Sequence, residues 1–225
     1  MEIHSPILTA KPELETINLD PKLIFAPGEI GVTLAWELKN KDGKIIDRNE
    51  QKSRSFVKQF MQILHLCTAN ISGTPTIVGI GYRQVRTTSN VLQNDYNVTT
   101  PIGNWYGGIG IATYGLVIGT GVGAVAMTDY ALGTLIAHGT GAGQLQYSTM
   151  SFGAPSASAT ICSFITSRDF ANGSSGTVTP TEAGIYISRS NGYFLVIRDL
   201  IEAGVGVPIV AGNTIALHYK VQTTI

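Results

Sequence analysis

The residues from which this chain could build chemistry are its four histidines, two cysteines and one run of glycines. His4, His65, His138 and His218 are scattered, and neither His-Glu-x-x-His nor Cys-x-x-Cys occurs, so no metal-ligand spacing is present. Cys67 falls on the apolar side of a helical pattern and Cys162 inside the strand-like run Ala159–Ile165. Both read as small buried hydrophobes, because an activated thiolate needs an electropositive, accessible setting. A bond between them is left open. Gly119-Thr120-Gly121-Val122-Gly123-Ala124 superficially suggests a dinucleotide loop, but its third glycine comes one position early and no helix pattern follows. Close backbone contact between strands or subunits explains these glycines better. No Gly-x-Ser-x-Gly elbow or Gly-Lys-Ser/Thr loop exists. Asp199 and Glu202 are close in sequence and Asp169 and Glu182 flank a loop, but such proximity says nothing about a shared cleft, and Asn40-Lys41-Asp42-Gly43 lacks the acids of a calcium loop. The reading assigns no catalytic, cofactor-binding or metal-binding residue. Recognition is left: Trp105 and Tyr106, in Asn104-Trp105-Tyr106-Gly107-Gly108, could stack on the apolar face of a sugar. The plainer reading, which is preferred, has Trp105 filling a core or a subunit interface. Trp36, inside a strand pattern, reads as packing.

Composition limits what these residues serve. The 225 residues are 44% hydrophobic and only 13% charged, with a formal net charge of +0. Ordinary soluble domains carry about 25% charged residues. A surface so poor in charge is expected to be buried partly against other copies. The hydrophobic content argues against disorder, and the absence of a basic field argues against nucleic acid. Lys52, Arg54 and Lys58 form the one basic run and read as a solvated helix face. The start, Met1-Glu2-Ile3-His4-Ser5-Pro6, lacks the basic-then-apolar order of a secretory signal. No apolar run reaches the roughly 18 residues that a membrane span needs. Synthesis and retention in a cytoplasm are therefore expected, and the Asn-x-Ser/Thr matches at Asn70, Asn97 and Asn172 are expected to be chance.

The elements that would position these residues are mostly strands. Residues 1–28 read as an extended arm, because Pro6, Pro12, Pro21 and Pro27 interrupt any helix or central strand. Residues 29–225 read as a single β-rich domain with a conceivable sub-boundary near residue 72. Ile30–Leu38 reads as a strand, Asp42-Gly43 as its turn and Lys44–Asp47 as the returning strand. Ser53–Ala69 is the convincing helix: Phe56, Phe60 and Leu64 recur every four residues, and Ser53 or Ser55 could cap it. Further strands are expected over 76–85, 114–118, 143–152, 157–168, 177–188, 193–200 and 214–225. The last is clearest, with Ile215, Leu217, Tyr219, Val221 and Ile225 on one face. The fold class is mainly β: a sandwich or jelly-roll-like domain with one amphipathic helix.

Several stretches carry a resemblance. Lys41-Asp42-Gly43-Lys44 is followed by Lys52–Phe60. The run Thr128–Leu132 ends a glycine-rich stretch that begins at Gly119. Glu182-Ala183-Gly184-Ile185-Tyr186-Ile187-Ser188 leads to Phe194–Asp199 and then to Val207–Tyr219. Over about residues 30–225 the chain resembles a loosely defined set of virion structural proteins from tailed phages and prophages. The resemblance implies a sandwich-like head or tail subunit that assembles with copies of itself and with other virion proteins. It carries no catalytic residue. It places the protein in the virion, with no specific nucleic acid and no membrane as partners. The alternative is a carbohydrate- or receptor-binding module that meets a host surface glycan through Trp105 and Tyr106.

Overall fold

The computed structural model describes residues 25–53, 56–68, 84–94, 104–189 and 192–224. Most of the expected arm (1–24) and of the expected strand over 76–85 therefore lies outside the described residues. The described residues are mainly β. The larger antiparallel sheet runs β2 (Ile45–Ser53), β1 (Ile30–Lys39), β12 (Thr214–Thr224) and β9 (Ile161–Ala171). The short strands β6 (Gln146–Tyr147), β7 (Ser151–Phe152) and β8 (Ser156–Ala157) follow one another along the far edge of β9. The smaller sheet runs β11 (Gly192–Leu200), β10 (Glu182–Arg189) and β5 (Gly115–Gly119). β3 (Gln84–Arg86) and β4 (Leu92–Asn94) form a separate hairpin.

The two large sheets share one apolar core, as a sandwich requires. Leu34, Trp36, Phe170, Leu217 and Tyr219 come from the larger sheet, and Leu116, Ile118, Ile185, Leu195 and Ile197 from the smaller. Alternation decides which side chains enter. On β12, Ile215, Leu217 and Tyr219 are buried and Val221 is half-buried, as their spacing predicts. β12 lies between β1 and β9 with both its ladders paired. Its other face carries His218, whose Nδ1 lies 2.7 Å from Ser167 Oγ.

Two boundaries differ from expectation. The helix α1 spans Lys58–Thr68, because β2 continues through Ser53. Ser53 is thus a strand residue, paired with Val32, and no serine cap can be assigned to it. Instead Lys58 N–H donates to Met127 O at 2.9 Å, which seats the helix start on the 127–130 loop. Within 143–152, residues 146–147 and 151–152 form short ladders with β9, and between them Ser148 N–H donates to Asp169 O at 3.0 Å while Met150 N–H donates to Gly107 O. The polar segment 172–176, between β9 and β10, is partly interior. Asn172 is buried, donating through Nδ2 to Gly176 O and Ile209 O while its Oδ1 accepts from Ser174.

Candidate functional site

Two irregular segments meet beside the core: residues 120–134, after β5, and the turn 201–206, after β11. They approach closely: a Cβ placed on Gly204 would lie 3.9 Å from Val122 O. The turn has left-handed backbone at two non-glycine residues, Glu202 (φ 49°) and Ala203 (φ 52°), then at Gly204 and Gly206. Such geometry is costly for residues with a Cβ and persists only where the surroundings over-determine it. Here Glu202 Oε1 accepts from Trp36 Nε1 at 3.0 Å and from Asn49 Nδ2 at 2.8 Å. Ile201 N–H donates to Thr181 O, and Val207 N–H to Pro180 O. The turn thus presents Val205, which is 79% exposed and borders Asp47 and Arg48, while Val122 at 67% and Met127 at 62% are exposed on the 120–134 segment. A cleft of about 670 Å³ that includes Met127 is walled by Phe56, Val57, Val125, Leu200 and Ala203 together with the polar Gln51, Lys52 and Asp199.

A buried charge network holds the 120–134 segment in place. Glu182 is fully buried at the start of β10. Its carboxylate accepts from Gly121 N–H at 2.8 Å, Thr134 N–H at 3.0 Å, Gly133 N–H at 3.1 Å and Arg198 Nε at 2.9 Å. Arg198 also donates to Asp129 Oδ2 at 2.7 Å and to Gly123 O at 3.0 Å. Burial works against the Arg198 charge, but its bonds to Asp129 and Glu182 outweigh that effect and raise its pKa. The glycines follow from this packing. A Cβ on Gly119 would come within 2.7 Å of Glu182 Oε1, and one on Gly121 would collide with the same carboxylate. The run thus serves close backbone approach to a carboxylate, with no phosphate loop formed.

The acids around this surface are engaged in structure. Asp199 accepts from the Tyr219 hydroxyl at 3.0 Å, and burial pushes that hydroxyl's pKa well above its ordinary value. Leu132 N–H donates to the Tyr186 hydroxyl at 2.6 Å, whose pKa burial pushes up to about 12. Among the described residues no group of three or more His, Cys, Asp or Glu could hold a metal ion. What the arrangement offers is a hydrogen-bonded support beneath the exposed side chains of Val122, Met127 and Val205.

The residues singled out in the sequence fall elsewhere. Trp105 is half-buried and packs on the core, whereas Tyr106 is exposed. The ring beside Tyr106 is Phe152 of β7, with centroids 6.3 Å apart and planes tilted by 33°. Under this corner, Arg168 is buried between Tyr147 and Phe170 and donates to Ser148 O, Gly108 O and Leu116 O. Burial lowers its pKa to about 10. The two carboxylate pairs are not sites. Asp169 lies on β9 of the larger sheet and Glu182 on β10 of the smaller, while Asp199 and Glu202 bind different partners. His138 Nδ1 accepts from Tyr147 N–H. Cys162 is exposed and free, which corrects the expectation of a buried thiol; it sits near the start of β9, opposite Ala157. The side chains of His65 and Cys67, and all of His4, lie outside the described residues.

The Glu182–Arg198–Asp129 network and the exposed Val205 turn did not emerge from motif reading. A signal was present: Arg198 and Asp199 interrupt an otherwise apolar strand, and a charge inside a buried run demands a partner. Gly184 lies opposite Arg198, which places Glu182 on the neighbouring diagonal of the same face. Among the described residues, no helix is long and apolar enough to cross a membrane. No protein-family model matches the chain, and neither a curated protein nor a solved structure matches it.

Proposed function

We propose that this protein is a non-enzymatic structural subunit that self-assembles through the apolar surface formed by Val122, Met127, Val205 and the adjoining cleft. The observation that carries the reading is the support beneath that surface. Two strained turn residues and a four-donor buried carboxylate hold apolar side chains out of the core. Ordering costs of this kind are offset when the presented surface is buried against a partner. The composition agrees, since a chain with 13% charged residues has little with which to solvate its surface. The resemblance to tailed-phage and prophage virion proteins makes a head or tail component the setting, with other virion proteins as further partners. Mass measurement by light scattering across a concentration series, with electron micrographs of the same fractions, tests this. A closed ring or shell of fixed stoichiometry supports it, and a monomer at every concentration contradicts it.

A second reading rests on the Tyr106–Phe152 pair. Two exposed rings on adjacent segments form a shallow platform of the kind that stacks on sugar faces. On that reading Tyr106 and Phe152 carry the glycan contact, and Trp105 supports them from the core side. Glycan-array binding that is lost in Tyr106→Ala supports it, and unchanged binding contradicts it.

A further inference from the structure

The two ends of the larger sheet are finished differently. At one end β6, β7 and β8 lie along β9. At the other the nine-residue β2 has β1 on one side and, among the described residues, no strand on the other. A long open edge of this kind invites another strand, and the exposed Ile45 and Ile46 at its start add to the hazard. Backbone alternation shows which groups face outward. Thr224 N–H donates to Glu29 O, so the odd-numbered residues of β1 turn their backbone to β12 and the even-numbered ones to β2. Through the pairs Trp36↔Asn49 and Leu34↔Gln51, the backbones of Asn49 and Gln51 face β1. Those of Arg48 and Glu50 therefore face the open side.

Both of these outward N–H groups are already taken. Arg48 N–H donates to Asp47 Oδ1 at 2.9 Å, and Glu50 N–H donates to Asn49 Oδ1 at 2.8 Å. Asn49 is itself anchored, since its Nδ2 donates to Glu202 Oε1 at 2.8 Å. The charges show which strand would otherwise fit. With a second β2 laid antiparallel across the edge and Asn49 opposite Asn49, each Arg48 lies opposite the Glu50 of the other copy, twice about the two-fold axis. These are the same residues whose N–H groups face outward, so charge and hydrogen-bond register agree.

We propose that Asp47 and Asn49 guard this edge: their side chains occupy the two outward N–H groups at the centre of β2 and keep a second copy of this chain from adding its own β2. A partner strand pairs here only by displacing both acceptors. The guard leaves the edge donors satisfied in the single chain and confines association to other surfaces. It goes beyond the assembly reading and holds whether or not that reading does.

The test uses the full chain carrying Val205→Lys, because Val205 borders Asp47 and Arg48 and its own contacts must stay out of the readout. Asp47→Ala/Asn49→Ala removes both acceptors. The control Asp47→Asn/Asn49→Asp keeps an Oδ1 at each position, leaves the net charge as it was, and loses the Asn49 Nδ2 bond to Glu202 as the alanine pair does. Sedimentation velocity and infrared amide spectra are read over a concentration series. The alanine pair should dimerise, with an added intermolecular-strand signal, at concentrations at least about tenfold below any association of the control. Adding Arg48→Glu or Glu50→Arg to the alanine pair sets like charges opposite one another and should abolish the dimer. Mixing those two chains should restore it as a heterodimer. Amide hydrogen exchange gives a measurement that does not depend on the alanine pair folding well. Asp47→Ala alone, at an exposed position, should speed exchange of the Arg48 amide several-fold and leave the Glu50 amide unchanged. An alanine pair that stays monomeric, a control that associates as strongly, or an Arg48 amide unmoved by Asp47→Ala overturns the proposal. Charge variants that still dimerise overturn the register about Asn49.

Discussion

Replacing Arg198 by methionine tests how the apolar surface is held. The substitution removes the bonds to Glu182, Asp129 and Gly123 O while keeping most of the side-chain volume. Breaking a buried ion pair by removing one partner costs about 3–5 kcal/mol. Glu182 would retain its three backbone N–H donors, so the lower end, about 3 kcal/mol, is expected. For a chain of this size that lowers the melting temperature by about 10 °C. The assay is urea unfolding near pH 7, joined to amide hydrogen exchange of Gly121, Gly133 and Thr134. The companion variant Glu182→Leu/Arg198→Met sharpens the test. Replacing an isolated buried pair by apolar residues is often neutral. Here the carboxylate also satisfies three backbone N–H groups, each worth about 1 kcal/mol when orphaned in a partly buried site. The double variant should therefore stay destabilised by about 3 kcal/mol or more. A loss below about 1 kcal/mol in Arg198→Met, or a double variant as stable as wild type, would refute the reasoning.

Further outcomes follow from the same geometry. Arg168→Met leaves the carbonyls of Ser148, Gly108 and Leu116 without their donor and should cost about 3 kcal/mol, measured by urea unfolding. Trp105→Ala should destabilise by about 2 kcal/mol, whereas Tyr106→Ala should change stability by under about 0.5 kcal/mol, because only the first packs on the core. His218 is held below its ordinary pKa by burial, which outweighs the opposing pull of Glu37, while Lys39 adds to the lowering. A base with a depressed folded pKa lets the unfolded chain take the proton first. Its contribution is therefore complete above about pH 6.5 and is lost as the pH falls from there toward the folded pKa. His218→Gln should flatten that part of the stability–pH curve, and an unchanged slope would contradict this assignment. Gly121→Ala drives a methyl group into the Glu182 carboxylate and should loosen the 120–134 segment, seen as faster proteolysis there.

Period-2 patterning made the strands legible, most clearly in β12, where Ile215, Leu217 and Tyr219 go inward as their spacing requires. β1, β5 and β11 are legible for a different reason, within a residue or two: each is a largely apolar run bounded by turn residues and buried on both faces. The α1 start was misplaced because Phe56 has helical spacing to Phe60 and Leu64, yet its backbone makes a β-bridge to Ile197. Tertiary pairing overrode local periodicity at that point. The two aromatic residues singled out in the sequence part company in the fold. Neighbouring positions in an extended segment face opposite ways, so Trp105 turns inward when Tyr106 turns outward. Phe152 could not be joined to Tyr106 from sequence, since that contact depends on the β7–β9 register. The same holds for the carboxylates: Glu182 meets Arg198 only through the β10–β11 register. The strained 201–206 turn carries no glycine at its first two left-handed positions, so no turn signal marked it.

The central claim is that the Val122–Met127–Val205 surface joins copies of this chain. Sedimentation velocity of wild type and Val205→Lys, from low to high micromolar concentration, tests it most directly. Val205 is 79% exposed, so lysine there leaves the fold intact while placing a charge in the contact. The account predicts a defined multiple of the 23.9 kDa chain for wild type and a 23.9 kDa monomer with an unchanged melting curve for the variant. A wild-type monomer at every concentration, or a variant that assembles as wild type does, would contradict it.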